Sequence, residues 1–310
     1  ALARVRVPLE IPADDELGPL DRALLAAAPD ATRARLTRRG GRRVTAFDAY
    51  LADTDTDTDT DTDTDNGADA GVGVGVTLVA DAEVAAVALD GRRAVGVQLA
   101  DGRHLDTDRV VVTAGAIGTP LLLAASGVDA PALGHGLRNH PGLPISVHVR
   151  DGAPGSALLV GALLVRGDLQ IVPVHDVVDP APDTLLVVLM APTGRGRVRA
   201  AGDGVLVEEV LDDHDHARLE SGRTIVFELL DHPAVRAVVD DVTVGTAPAM
   251  VYHPTSTCAM GTVVDADGAV FGYDGLHVAD ASVFPDIPRA NTYLPTLMLA
   301  ERLAWRLTRR

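Results

Sequence analysis

The stretch that most constrains this chain is RVVVTAGAIGTPLLLAASGV, residues 109–128. It opens on three consecutive valines, so both faces of a strand there are apolar, as in a strand buried on both sides. The chain turns at Ala114–Gly115 and enters a helix near Thr119, with Pro120 suited to a first helical turn, where its missing N–H costs nothing. A buried strand feeding a helix is half of a parallel βα unit and points to an α/β chain. Val110 to Val128 is also apolar enough to suggest a membrane span. Thr113, Gly115, Gly118, Thr119 and Pro120 interrupt its middle, so no transmembrane segment is expected.

Short β-like runs surround this unit. TLVA, EVAAVAL and AVGVQLA precede it, separated by the turn signals DGRR and DG. GPLDRALLAAAPD (18–30) and VTAFDAYLA (44–52) have helical spacing, and the basic TRARLTRRGGRR (32–43) between them reads as a loop. Beyond residue 133, β-like LPISVHV, LLVVLM and RVRAAG alternate with helical DHDHARLESGRTIVFELL. The chain closes with a strand, a proline-punctuated loop and a helix whose Leu297, Ala300, Ala304 and Leu307 sit at core spacing. Asp53 to Asp65 alternate Asp and Thr with nothing apolar on either face, and lack the Gly and Glu of an EF-hand loop, so a solvated loop is expected.

The chain has 310 residues, enough for two domains, and a net charge of −17, of which seven charges come from the Asp-Thr run. That balance argues against nucleic acid or an anionic membrane surface as partner. The single cysteine, Cys258, excludes an intramolecular disulfide, gives no support for an oxidising compartment, and leaves a cytoplasmic location as the expectation. No signal peptide opens the chain; ALARVRVPLEIP reads as the middle of something, and a fragment of a longer protein is expected.

Several chemistries are missing. One cysteine cannot build a zinc-type cluster, and His214 and His216 read as part of a charged surface segment, so no metal is expected. There is no P-loop, G-x-S-x-G or G-x-G-x-x-G, and GVGVGV has the wrong glycine spacing for a dinucleotide loop. His253, in VYHPTSTCAMG, is by itself a structural histidine as readily as a catalytic one. It shares a style with DASVFPDIPRANTYLPTLM, about 40 residues on: a strand end, small residues, and a polar side chain beside prolines. Loops on a rigid scaffold are where catalytic groups concentrate.

These segments resemble the signatures of the glucose–methanol–choline (GMC) oxidoreductases, flavoenzymes that oxidise alcohols. YHPTSTCAMG is similar to the family's His-bearing loop, and VVDADGAVFGYDGLHVADASVFPDIPRANTYLPTLMLAERLA to its closing segment. VVVTAGAIGTPLLLAASGV resembles a third signature, in which Asp129 stands where Gly is usual. GLRNHPGLP resembles a fourth, with Asn139 replacing the usual acid. RVTAFDAYL with the hairpin after it matches the run that flanks the adenine side of FAD. The resemblance covers most of 44–145 and all of 251–310; the middle, 146–250, matches loosely. The G-x-G-x-x-G turn with which family members begin is absent.

The resemblance implies a two-domain α/β flavoprotein, with a partial Rossmann-like FAD-binding domain and a substrate domain built on an antiparallel sheet flanked by helices. The implied division is 1–52 substrate-domain segment, 53–76 low-complexity loop, 77–132 FAD-binding segment, 133–250 substrate domain and 251–310 FAD-binding segment with active-site loops. It further implies FAD as cofactor and a small-molecule alcohol as substrate. His253 would be the general base and Asn291 a donor to the substrate oxygen, with hydride passing to flavin N5. Val84, Ala114, Gly115, Asp280, Ala281, Thr292 and Thr296 would line the cofactor, and Cys258 would be a packed neighbour. A second expectation stands beside this one: a non-catalytic remnant that binds a small molecule or partner without flavin. The resemblance names neither the alcohol nor the electron acceptor, whether oxygen, a quinone or a redox carrier.

Overall fold

The computed structural model describes residues 4–52, 71–73, 76–150, 158–175, 183–245 and 248–309. The Asp-Thr run lies outside them. Helix α1 (Pro19–Ala27) comes first, with Pro19 at its opening position, followed by β1 (Thr32–Arg33) and a small hairpin of β2 (Arg38–Arg39) and β3 (Arg42–Arg43). The basic segment expected as a loop therefore carries three short strands. α2 (Ala46–Tyr50) is capped by the Thr45 hydroxyl, which accepts from Asp48 N. The strands β4 (Gly71–Gly73) and β5 (Val76–Leu78) pair with each other, and β6 (Val84–Asp90), β7 (Arg93–Leu99) and β8 (His104–Asp106) form an antiparallel meander. Then come β9 (Val110–Val112), α3 (Gly115–Ala125), β10 (His135–Leu137), β11 (Pro141–Val149), β12 (Ala162–Arg166), β13 (Leu169–Val174) and β14 (Asp183–Leu189). The hairpin β15 (Gly196–Ala201) and β16 (Gly204–Glu208) leads into α4 (Asp213–Asp231) and α5 (Pro233–Arg236). β17 (Val239–Val244), β18 (Ala249–Met250), β19 (Leu276–Val278) and α6 (Tyr293–Leu307) complete the chain.

Two cores follow from this order. The first belongs to an antiparallel sheet ordered β1-β12-β13-β14-β11-β17, with β18 adding to β11. Alternation sends Ile145, Val147, Ile171, Val187 and Leu189 to one face, where α1 and α4 cover them with Leu20, Leu24, Leu219 and Val226. Gly222 lets α4 lie directly on β14: a Cβ there would come within 2.3 Å of Val187 Cγ1. The opposite face is also apolar, with Val172, Val188 and Met190 buried beside Val160, Leu163 and Val251. The second core surrounds the parallel pair β19–β9, with Val110, Val112, Leu276 and Val278 packed against Leu123 of α3 and Leu303 of α6.

Two sequence expectations shift. α3 starts at Gly115, four residues before Thr119, so Pro120 lies inside the helix. A proline there leaves the carbonyl four residues earlier without its helical partner. That carbonyl is Ala116 O, and the Thr257 hydroxyl donates to it at 2.6 Å. In α6 the fully buried residue is Leu303, while Ala304 is exposed. The helix is apolar on more than one side, so spacing alone could not choose the stripe at 297, 300, 304 and 307 over the one that carries Leu299 and Leu303.

Candidate active site

The loop 253–260 is held from two directions. Thr255 and Arg138 exchange backbone hydrogen bonds, and Gly134 N donates to Thr257 O. On the other side Ser256 N, Cys258 N and Met260 N donate to the carbonyls of Ala281, Ser282 and Val283. Tyr252, just before the loop, and Ser256 within it are left-handed, at φ +51° and +72°. Neither is glycine, so the backbone is strained beside His253. Tyr252 is 93% exposed. Cys258 is fully buried and its thiol is pushed up to about 12 by burial, so it stays protonated and acts as a packed side chain.

His253 is fixed by two neighbours. Asn139 Oδ1 accepts from the backbone N–H of both His253, at 2.8 Å, and His140, at 2.9 Å. The Asn139 amide donates to Glu209 Oε1 at 2.6 Å, which a carboxylate in its place could not do. The two imidazoles meet edge to face, with Nδ1 of His140 and Nδ1 of His253 3.0 Å apart. His140 is fully buried, and its Nε2 lies 3.2 Å from the Pro288 carbonyl oxygen. Burial, with the adjacent His253, pushes the His140 imidazole down to about 4, and burial also lowers His253. Both rings are therefore neutral at neutral pH.

The tautomers follow from these partners. Carbonyls only accept, and the His140 ring meets two of them, Met190 and, at Nε2, Pro288; with its ring proton on Nε2, its Nδ1 is an acceptor. In that tautomer His253 Nδ1 donates, which leaves His253 Nε2 as the ring's acceptor, with no hydrogen-bond partner among the described residues. His140 went unremarked in the sequence, although it stands in the GLRNHPGLP stretch. Its adjacency to Asn139 was the available signal.

Of the implied cofactor residues, two line one cleft and three gather around the Asp280 carboxylate beside it. Val84 and Ala114 line a cleft of about 600 Å³ beside β9 and α3. Gly115, at φ +78°, borders open space, and a Cβ there would meet nothing within 4 Å. Its N–H and the Thr119 hydroxyl donate to Asp280 Oδ2, at 2.9 and 2.5 Å, while Asp280 Oδ1 accepts from Ser282 N. The Asp280 side chain thus clasps the start of α3 to the 280–283 turn, beside Ala281. Asn291 lines a second cavity, of about 700 Å³, with Tyr293. Thr292 precedes α6, and its carbonyl accepts from both the N–H and the hydroxyl of Thr296. His253 is not on that cavity's wall; Pro288, three residues before Asn291, links it to the cavity through His140.

His214 and His216 lie exposed in the first turn of α4, two residues apart and so on diverging faces, and no group of three metal-ligating side chains gathers among the described residues. Among the described residues no helix is long and apolar enough to cross a membrane.

Residues 3–142 and 192–300 match the N- and C-terminal family models of the GMC oxidoreductases. The chain belongs to the GMC oxidoreductase family. It is 29% identical over 269 residues to an uncharacterised GMC-type oxidoreductase of Rhodococcus erythropolis, covering 71% of this chain and 54% of that protein. A 5-(hydroxymethyl)furfural oxidase of Methylovorus is 26% identical over 298 residues, covering 73% of this chain and 56% of that one. The chain thus spans about half the length of these two relatives. Among solved structures, a pyridoxine 4-oxidase from Mesorbium loti superposes with a TM-score of 0.83 at 21% identity, over 98% of this chain and 72% of that one. The family's cofactor is FAD. The residues present fit it: the cleft at Val84 and Ala114 runs beside β9 and the start of α3, where Gly115, at φ +78°, leaves open space for a close approach.

Proposed function

We propose that this GMC chain takes part in the FAD-dependent oxidation of an alcohol, with His253 as the general base. The observation that carries the reading is the hydrogen-bonded line from the Pro288 carbonyl through His140 to His253 Nδ1, which leaves Nε2 of a neutral imidazole free to accept a proton. FAD, when bound, supplies the acceptor for the hydride, flavin N5. Val84, Ala114, Gly115 and the turn at Asp280–Ala281 would hold it, with Thr292 and Thr296 at the start of α6. His253 Nε2 takes the hydroxyl proton as the carbon-bound hydrogen leaves. The Asn291 amide donates to the substrate oxygen without competing for the proton. Asn139 and His140 keep His253 in place and in the right tautomer.

The test is to titrate the purified full chain with FAD and follow flavin absorbance. The loaded protein is then assayed against primary and secondary alcohols, with His253→Gln alongside. The reading expects flavin uptake and turnover that falls in the variant. A protein that stays colourless with added FAD would instead support a binding module without redox chemistry.

A further inference from the structure

The basic segment has no part in the chemistry above. It holds six arginines between residues 33 and 43, in a chain whose net charge is −17. Such a run is ordinarily a solvated face, but the fold uses this one otherwise. β1 pairs with β12 at the sheet edge, Thr32 opposite Leu163. The β2–β3 hairpin then brings the Arg43 guanidinium over the Tyr293 ring, 5.8 Å from its centroid. The result is the cavity of about 700 Å³ that also exposes Asn291. Five arginines line it, at positions 33, 35, 38, 43 and 289, and no Asp or Glu does.

Two of the five are neutralised nearby. Arg38 binds Glu10 at 3.0 Å and Glu16 at 2.6 Å, and Arg33 binds Asp14. Among the described residues no carboxylate pairs with Arg35, Arg43 or Arg289. Tyr293, under Arg43, belongs to the same wall, and its hydroxyl is buried with no hydrogen-bond partner among the described residues. Leu36, Leu163 and Leu294 give the cavity an apolar side. Arg289 directly follows Pro288, whose carbonyl fixes His140. A cavity that concentrates positive charge within an acidic protein focuses its field on an anion, and arginine is suited to oxyanions because its planar fork matches carboxylate and phosphate.

We propose that this cavity binds an oxyanion carried by the substrate, so that the alcohol presented to His253 is an anionic one, a hydroxy-carboxylate or a hydroxy-phosphate with an apolar body. The proposal rests on the assignment of His253 and Asn291 to alcohol oxidation, which places the reacting end. The test is calorimetric binding to the full chain in the presence of FAD, with three probes of one shape: 4-(hydroxymethyl)benzoate, 4-(hydroxymethyl)phenyl phosphate and the neutral 4-(hydroxymethyl)benzamide.

At least one anion should bind about tenfold or more tightly than the amide at low salt, the scale of a charge-assisted contact. The advantage should shrink with added salt and in the exposed-site double variant Arg35→Gln/Arg289→Gln. Whichever anion leads identifies the oxyanion. Equal binding of all three probes, or a preference that survives in the double variant, would overturn the proposal. So would a variant whose loss is in FAD uptake by flavin titration, since the arginines would then hold the cofactor's phosphates. Binding requires no turnover, so an intact anion preference in a protein that oxidises nothing would sink the role of His253 and leave this one standing.

Discussion

Two buried histidine sites in this molecule are pushed in opposite directions, one toward the neutral form and one toward the charged form. At the candidate active site His140 meets a carbonyl and another imidazole, and burial holds it neutral. In the sheet domain His175, at the end of β13, lies between two carboxylates: its Nε2 is 2.8 Å from Asp21 Oδ2 on α1, and its Nδ1 is 3.1 Å from Asp183 Oδ2 on β14. Burial pulls His175 down, but the hydrogen bonds and charges of Asp21 and Asp183 outweigh it and raise the imidazole above its ordinary value. The residue type is the same and both are almost wholly buried, so the partners choose the proton. A neutral pair can take up a proton from substrate. A charged histidine between acids already has both nitrogens occupied and serves as a clamp between helix and sheet.

The largest effect that would break this contrast is at His253. His253→Gln should lower turnover by about 10²- to 10⁴-fold, the usual range for a general base, in steady-state assays with FAD; an unchanged rate removes the base from the mechanism. The clamp is next. Asp21→Ala takes one of two carboxylates from the buried His175 and also frees the Gly18 and Gly161 N–H groups that Asp21 holds. It should cost about 3–5 kcal/mol in denaturant unfolding, and a loss within 0.5 kcal/mol would show that His175 is not charged.

The pH dependence separates the two sites further. His140 is depressed from 6.5 to about 4, so its contribution is present above 6.5 and falls away as pH drops through 4, on the order of 3 kcal/mol in all. His175 is raised, so its contribution is complete below 6.5 and is lost as pH rises through its folded value. Unfolding free energy against pH should decline on both sides. Asp21→Ala should flatten the alkaline decline and leave the acid one; a variant that flattens neither refutes the assignment.

His140→Phe keeps the bulk but removes the acceptor for His253 Nδ1–H. Loss of a group that orients an imidazole typically costs about 10- to 100-fold, read in kcat with KM little changed and the acid limb of the rate profile displaced. A parallel drop in thermal stability with no change in that profile would mean packing alone. The smallest effect belongs to Asn139→Asp. It loses the donor to Glu209 and sets two carboxylates together, which should cost about 1 kcal/mol, recovered in Asn139→Asp/Glu209→Gln.

Much of this was legible beforehand because it depends on local pattern. The valines at 110–112 and the Gly115 turn specify a strand and its exit, although Val111 stands exposed on the open cleft rather than making the strand buried on both faces, and the alternation in 141–149 specifies a two-faced strand. His253 and Asn291 stand in loops whose composition marks them. What was hidden depends on contacts far apart in sequence. His140 gains meaning only when folding sets it against a histidine 113 residues away. The helix start at Gly115 could not be read while Pro120 looked like a first-turn residue, because the hydroxyl that excuses it belongs to Thr257. The arginines of 33–43 looked like a loop because their partners, Tyr293 and the cavity, come from the other end of the chain.

The bond from Thr257 to Ala116 has one more consequence. It ties the loop that carries His253 to a helix whose hydrogen-bond pattern is already broken at that turn, so neither can loosen without stranding a buried polar atom. The loop's amides should therefore exchange with solvent only when α3 itself opens, and at the same rate. His253 is thus held in one position by the fold itself, and the cost of arranging it is met once, during folding.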